Sequence, residues 1–124
     1  MINKLSKEIH AINVKNGFYE HEKNIGEMLC LIHSEVSEAL ECDRQDQYSN
    51  IIDLEAKALL EEKDNAVFKA WFKEEVKDSF EDELADVMIR VMDLADFKGI
   101  DLEFHIKAKM RYNSLRAYKH GKKY

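Results

Sequence analysis

No proline occurs anywhere in this 124-residue chain, and glycine occurs only four times. Those two residue types break helices and shape tight turns. A sequence almost free of both predicts long uninterrupted helices and argues against a turn-rich β fold. The expected fold class is all-α, a helical bundle of about five helices. The length suits one domain, residues 1–124. At 45% hydrophobic residues the chain can build a modest core. A core of that size covers itself incompletely, so self-association is expected.

Apolar spacing by threes and fours locates the helices. Leu5, Ile9 and Ile12 mark the first, about Asn3 to Val14, with Gly17 as its stop. Ile25, Met28, Leu29, Ile32, Val36, Ala39 and Leu40 form the apolar stripe of the second, about Asn24 to Arg44. Asn24 is placed to cap it, with Glu27 in capping-box position. From Ser49 to Lys77 the pattern is weaker. Ile51 to Leu60 suggests a short helix, Asp64-Asn65 a turn or cap, and Val67 to Val76 another helical stretch with Trp71 and Phe72 as core or interface residues. Asp78 or Ser79 caps the next helix, whose stripe is Leu84, Val87, Met88, Val91, Met92 and Ala95, ended by Gly99. Asp101 caps the last, about Leu102 to Lys119, with Phe104, Ile106, Met110, Tyr112 and Leu115 among its apolar positions.

No apolar run approaches ~20 residues, so no membrane span is expected, and the N-terminus does not read as a signal peptide. Cys30 and Cys42 are too few for a disulfide framework or a Cys-based zinc site, which fits a reducing, cytoplasmic setting. The net charge of −6 is unevenly spread. Beyond Glu103 there is no acid, while Lys107, Lys109, Arg111, Arg116, Lys119, Lys122 and Lys123 follow. An acidic body disfavours binding a nucleic-acid polymer over a broad face. A basic end beside an acidic body suits something narrower: metal on the acids, phosphates on the metal and the bases. Taken alone, the basic end also reads as a solubilising tail.

Two acidic pairs stand out, Glu35/Glu38 and Glu83/Asp86. Residues three apart on a helix are neighbours on one face. Two like charges there repel unless a cation sits between them. Both pairs adjoin the apolar stripes of their helices, at the core boundary, where unpaired charge is expensive. A metal site between these two core helices follows as an expectation. Four carboxylates offer hard oxygen ligands, which suit Mg²⁺, with Mn²⁺ as a substitute. No histidine stands where a di-iron bundle would need one, and no EF-hand loop is present. One such pair in an acidic helical protein is close to noise, a solvated face. Two, each in a strong apolar helix, point more firmly to metal.

These blocks resemble a known family. Leu31-Ile32-His33-Ser34-Glu35-Val36-Ser37-Glu38-Ala39-Leu40-Glu41, followed by Glu81-Asp82-Glu83-Leu84-Ala85-Asp86-Val87, is similar to the E-x-x-E and E-x-x-D helices of the MazG-like, all-α nucleoside triphosphate pyrophosphohydrolases. Lys109-Met110-Arg111-Tyr112-Asn113-Ser114-Leu115-Arg116 resembles that family's K-x-x-x-N-x-x-R element. Asn16-Gly17-Phe18-Tyr19 and Lys119-His120-Gly121-Lys122 look like stretches of its small phage and bacterial members. One departure is the gap of 45 positions between Glu38 and Glu83, longer than the family's common form. The segment from about Tyr48 to Lys77 reads as an inserted helical piece that leaves substrate choice open.

The resemblance implies a Mg²⁺-dependent hydrolase acting on acid anhydrides. It would cleave an NTP or dNTP to the monophosphate and pyrophosphate, in nucleotide-pool house-cleaning, as a homodimer or dimer of dimers. Glu35, Glu38, Glu83 and Asp86 would be the metal ligands, and Lys109, Asn113 and Arg116 would contact phosphate or sugar. Lys109 and Arg116 lie two helical turns apart and would share a face with Asn113 between them. Glu38 is the candidate general base, with Glu35 the alternative. His33 could contact base or phosphate, against the reading of a buried structural histidine. Tyr112 could stack on a base or pack in the core. Phe18 and Tyr19 could line a base pocket or plug a loop. The competing class is a non-catalytic helical interaction or regulatory protein with the same fold.

Overall fold

A computed structural model describes residues 1–124 apart from the side chain of His120. The fold is all-α. Six helices follow in order: α1 (Ile2–Lys15), α2 (Ile25–Arg44), α3 (Asp53–Glu61), α4 (Asn65–Glu75), α5 (Phe80–Phe97) and α6 (Leu102–Ser114), with a 3₁₀ turn at Tyr118–Gly121. No strand occurs among the described residues. No helix among them is long and apolar enough to cross a membrane.

The helix boundaries follow local chemistry. The Asn24 side chain accepts a hydrogen bond from Glu27 N at 3.0 Å and starts α2. Asp64 accepts from Ala66 N and Val67 N and splits the weakly patterned stretch into α3 and α4. Asp101 accepts from Phe104 N and starts α6. These are N-cap bonds, which satisfy backbone donors that the first turn leaves without partners. Gly17 and Gly99 sit at φ 88° and 65° just beyond α1 and α5. Only glycine adopts that left-handed turn at little cost. The last helix is shorter than its sequence suggests. It ends at Ser114 rather than near Lys119, so Arg116 lies past its end.

The chain forms two compact units, residues 23–90 and residues 1–22 with 91–124, and α5 contributes to both. In the first unit, α3 packs on α4. The link after α2 is tied down by Phe80 N donating to Gln47 O at 2.8 Å and by Ser49 Oγ donating to Glu75 O at 2.8 Å. Tyr48 and Phe80 rings lie 5.1 Å apart. Trp71 and Phe72 are half-buried.

In the second unit, α1 and α6 cap each other's first turns. Glu103 Oε1 accepts from Ile2 N at 2.7 Å, and Asn3 Oδ1 accepts from Glu103 N at 3.1 Å. Phe104, Met110, Tyr112 and Leu115 are exposed, so the apolar set expected of α6 is not a core face.

The buried faces of α2 and α5 also differ from the expected stripes. On α2 the expected Met28 and Ala39 are buried, but Glu35 and Cys42 are buried with them, whereas Leu29, Val36 and Leu40 are exposed. On α5 the expected Met92 and Ala95 are buried, but Glu83 and Asp93 are buried with them, whereas Leu84 and Met88 are exposed. Both helices are turned so that charged residues sit on the inner face rather than at its border.

Candidate metal centre

The rotation of α2 and α5 assembles the site. Helix α2 carries Glu35 and Glu38 one turn apart, and the start of α5 carries Glu83. Glu35 and Glu83 are each only 7% exposed, while Glu38 is exposed. One carboxylate oxygen from each of Glu35, Glu38 and Glu83 falls within 4.8 Å of the others. Asp86 is half-buried and lies outside this group of three, although its charge acts on Glu38. Sequence spacing offered four equivalent acids; the structure gathers three of them.

A cation already touches the cluster. Arg90 Nε donates to Glu35 Oε1 at 2.6 Å. Nothing in the sequence reading singled out Arg90. The signal was there: Arg90 is four residues beyond Asp86 and seven beyond Glu83, on the same face of α5.

Crowding of like charge dictates the protonation of the group. Burial works to raise Glu35, but the hydrogen bonds from Arg90, Glu38 and Glu83 and the Arg90 charge hold it below the ordinary carboxylate value. Glu38 is pushed up by its hydrogen bond to Glu35 and by the charge of that neighbour. Glu83 is pushed up to about 7, first by burial and then by the charge of Glu38. Asp86 is raised by burial and by the charges of Asp82 and Glu35, with Arg90 opposing. Three carboxylates in mutual contact cannot all ionise cheaply. Without a further cation, one of them retains a proton near neutrality.

The donor set fits a hard divalent cation. It is all oxygen, with no histidine or cysteine in the group, and oxygen-only sets suit Mg²⁺ or Mn²⁺. A second acidic group adjoins it through Glu83: Asp78, Asp82 and Glu83 also lie within 4.8 Å. There Lys77 Nζ pairs with Asp78 at 2.9 Å, and Asp82 Oδ2 accepts from Asp78 N, so these acids have local partners. His33 is exposed, with its backbone carbonyl accepting from Ser37 Oγ. A buried structural histidine is therefore not what it is.

The residues expected to meet phosphate belong to the other unit. Lys109 and Asn113, with His105, Ile106 and Met110, line an open cavity of about 350 Å³ along α6. Asn113 Oδ1 is buried there without a hydrogen-bond partner among the described residues. Tyr112 is exposed, with Lys109 Nζ 5.2 Å and Arg116 Cζ 5.7 Å from its ring centre. Arg116 reaches this ring from beyond the helix end, so the row is not the two-turn helical line expected. Phe18 is exposed, and Tyr19 donates to Asp93.

Compared with family models, curated proteins and solved structures, the chain matches none.

Proposed function

We propose that this chain is a Mg²⁺-dependent nucleoside triphosphate pyrophosphohydrolase of the MazG-like kind, releasing pyrophosphate and a nucleoside monophosphate. The observation that carries the reading is the cluster of Glu35, Glu38 and Glu83, three carboxylates from two helices gathered with a single arginine against them. Such a group is short of positive charge, and a divalent cation supplies it. Its hard oxygens fit Mg²⁺, and Mn²⁺ substitutes. The E-x-x-E and E-x-x-D resemblance adds the reaction class.

Glu35, Glu38 and Glu83 would hold the cation, with Asp86 adding charge from the next turn. Bound there, Mg²⁺ supplies Lewis-acid polarisation of phosphate oxygens and activation of water. Glu38 is the exposed member and is drawn toward protonation by its neighbours, which suits a group that accepts a proton. Lys109 and Arg116 offer charge-assisted donors to anionic oxygens. Asn113 Oδ1 is an acceptor in want of an N–H or O–H partner. The exposed Leu29, Val36, Leu40, Leu84 and Met88 support assembly as a homodimer or dimer of dimers.

The test is a panel of canonical and modified NTPs and dNTPs with Mg²⁺, scored for pyrophosphate release. Release from at least one nucleotide is expected. Folded protein that releases none from any would overturn the reading.

A further inference from the structure

We propose that Arg90 is a positioning residue, holding the Glu35 carboxylate in place as a ligand for the divalent cation. The inference rests on the metal reading of the acidic cluster and assigns a residue that the motif resemblance does not include.

The contact geometry carries it. Arg90 Nε approaches Glu35 Oε1 at 2.6 Å, a short charge-assisted hydrogen bond. A carboxylate has about four lone-pair sites. A fork-to-fork arginine pair would occupy both oxygens. Here a single hydrogen bond joins the two groups among the described residues, and the rest of the carboxylate stays open to the cluster. Glu35 is buried, so its orientation depends on what bonds it. Two of its close neighbours, Glu38 and Glu83, are acids whose carboxylate oxygens lie within 4.8 Å of its own, and like charges at that range repel when ionised. Arg90 is the opposing fixed point. Its side chain is 40% exposed, so it reaches the cluster from the solvent side.

A different role would give the opposite sign. A plain counter-ion standing in for the metal would compete with it, because two cations on one carboxylate repel. Removing such a residue would tighten metal binding. Removing a positioning residue weakens it, in the range of about 10–100-fold typical of groups that orient a metal ligand. A purely structural role would lower stability and leave metal affinity alone.

Calorimetric titration of Mg²⁺ and of Mn²⁺ into the full chain, without nucleotide, separates these outcomes. Wild type is expected to bind. Arg90→Gln is expected to bind about 10–100-fold more weakly. Arg90→Lys keeps the charge but loses the planar Nε donor, and is expected to fall several-fold as well. Unchanged or tighter binding by folded Arg90→Gln overturns the proposal and leaves the metal reading standing. Wild type that binds neither ion overturns both. Should Arg90→Gln fail to fold, Arg90→Lys decides: wild-type affinity in that variant overturns the proposal.

Discussion

Asp93 and Glu35 are both carboxylates buried on helical faces, at 8% and 7% exposure, yet their surroundings are opposite. Asp93 has one partner for each oxygen. His10 Nδ1 lies 2.8 Å from Oδ1, and Tyr19 donates its hydroxyl to Oδ2 at 2.7 Å. The rings of His10, Tyr19 and Phe97 pack against one another. Burial and the hydrogen bond to Asp93 keep the Tyr19 hydroxyl protonated far above its usual range. Glu35 instead has one arginine and two further acids. The first arrangement is closed: its polar groups satisfy one another and tie α1 and the following loop to α5. The second is short of positive charge. A buried acid with a full set of donors serves the fold. A buried acid among acids calls for a ligand.

Three predictions press on that contrast. The largest effect is expected from Glu38→Gln. Loss of a general base costs about 10²–10⁴-fold in turnover. Glu38 is exposed, so the melting temperature should barely move. Pyrophosphate release measured beside a thermal melt checks both halves, and wild-type turnover removes Glu38 from the site.

Next comes Asp93→Ala. It strands two half-buried donors and should cost about 3 kcal/mol of stability. Chemical denaturation measures the loss, and Mg²⁺ should not restore it. By the same contrast, Mg²⁺ should stabilise wild type by mass action. A variant at Asp93 that loses nothing would erase the distinction between the two sites.

The smallest effect is a pH dependence. Glu83 keeps its proton to about 7 in the fold, against an ordinary value of 4.5. Between those values the native state binds more protons than the unfolded chain, so stability falls as pH rises. The upward shifts of Glu38 and Asp86 act in the same direction. The melting temperature should drop measurably across that window without metal. On the proposed metal reading, saturating Mg²⁺ should hold the ionised cluster and flatten the drop. Equal slopes with and without Mg²⁺ would mean that the cluster does not bind it.

The helical class was readable from the missing prolines, and most helix ends from Asn24, Asp64, Asp101, Gly17 and Gly99, because caps and left-handed turns are local chemistry. The buried face was harder. Apolar spacing defines a stripe only to within a neighbouring position, and Leu29, Val36 and Leu40 outweigh Cys42 in any hydrophobic count. Tertiary packing kept Met28 and Ala39 inside and took Cys42 and Glu35 inward with them. The end of α6 was not legible, since no glycine occurs between Ser114 and Gly121 to mark it. Within the site, Glu35, Glu38 and Glu83 were legible as pairs at helical spacing. Arg90 was not, because its partner lies 55 residues away on another helix.

One face of α5 runs through Glu83, Asp86, Arg90 and Asp93, at steps of three, four and three. That is the spacing at which a stable helix normally sets leucines and valines. Selection for thermal stability alone would tend to replace Glu83 and Asp86, where acids crowd acids, with apolar residues, while Asp93 with its two donors would be kept. A stabilised descendant of this chain is therefore a poor guide to its chemistry. On the proposed metal reading, the helix would keep its site only by giving up some of its potential strength.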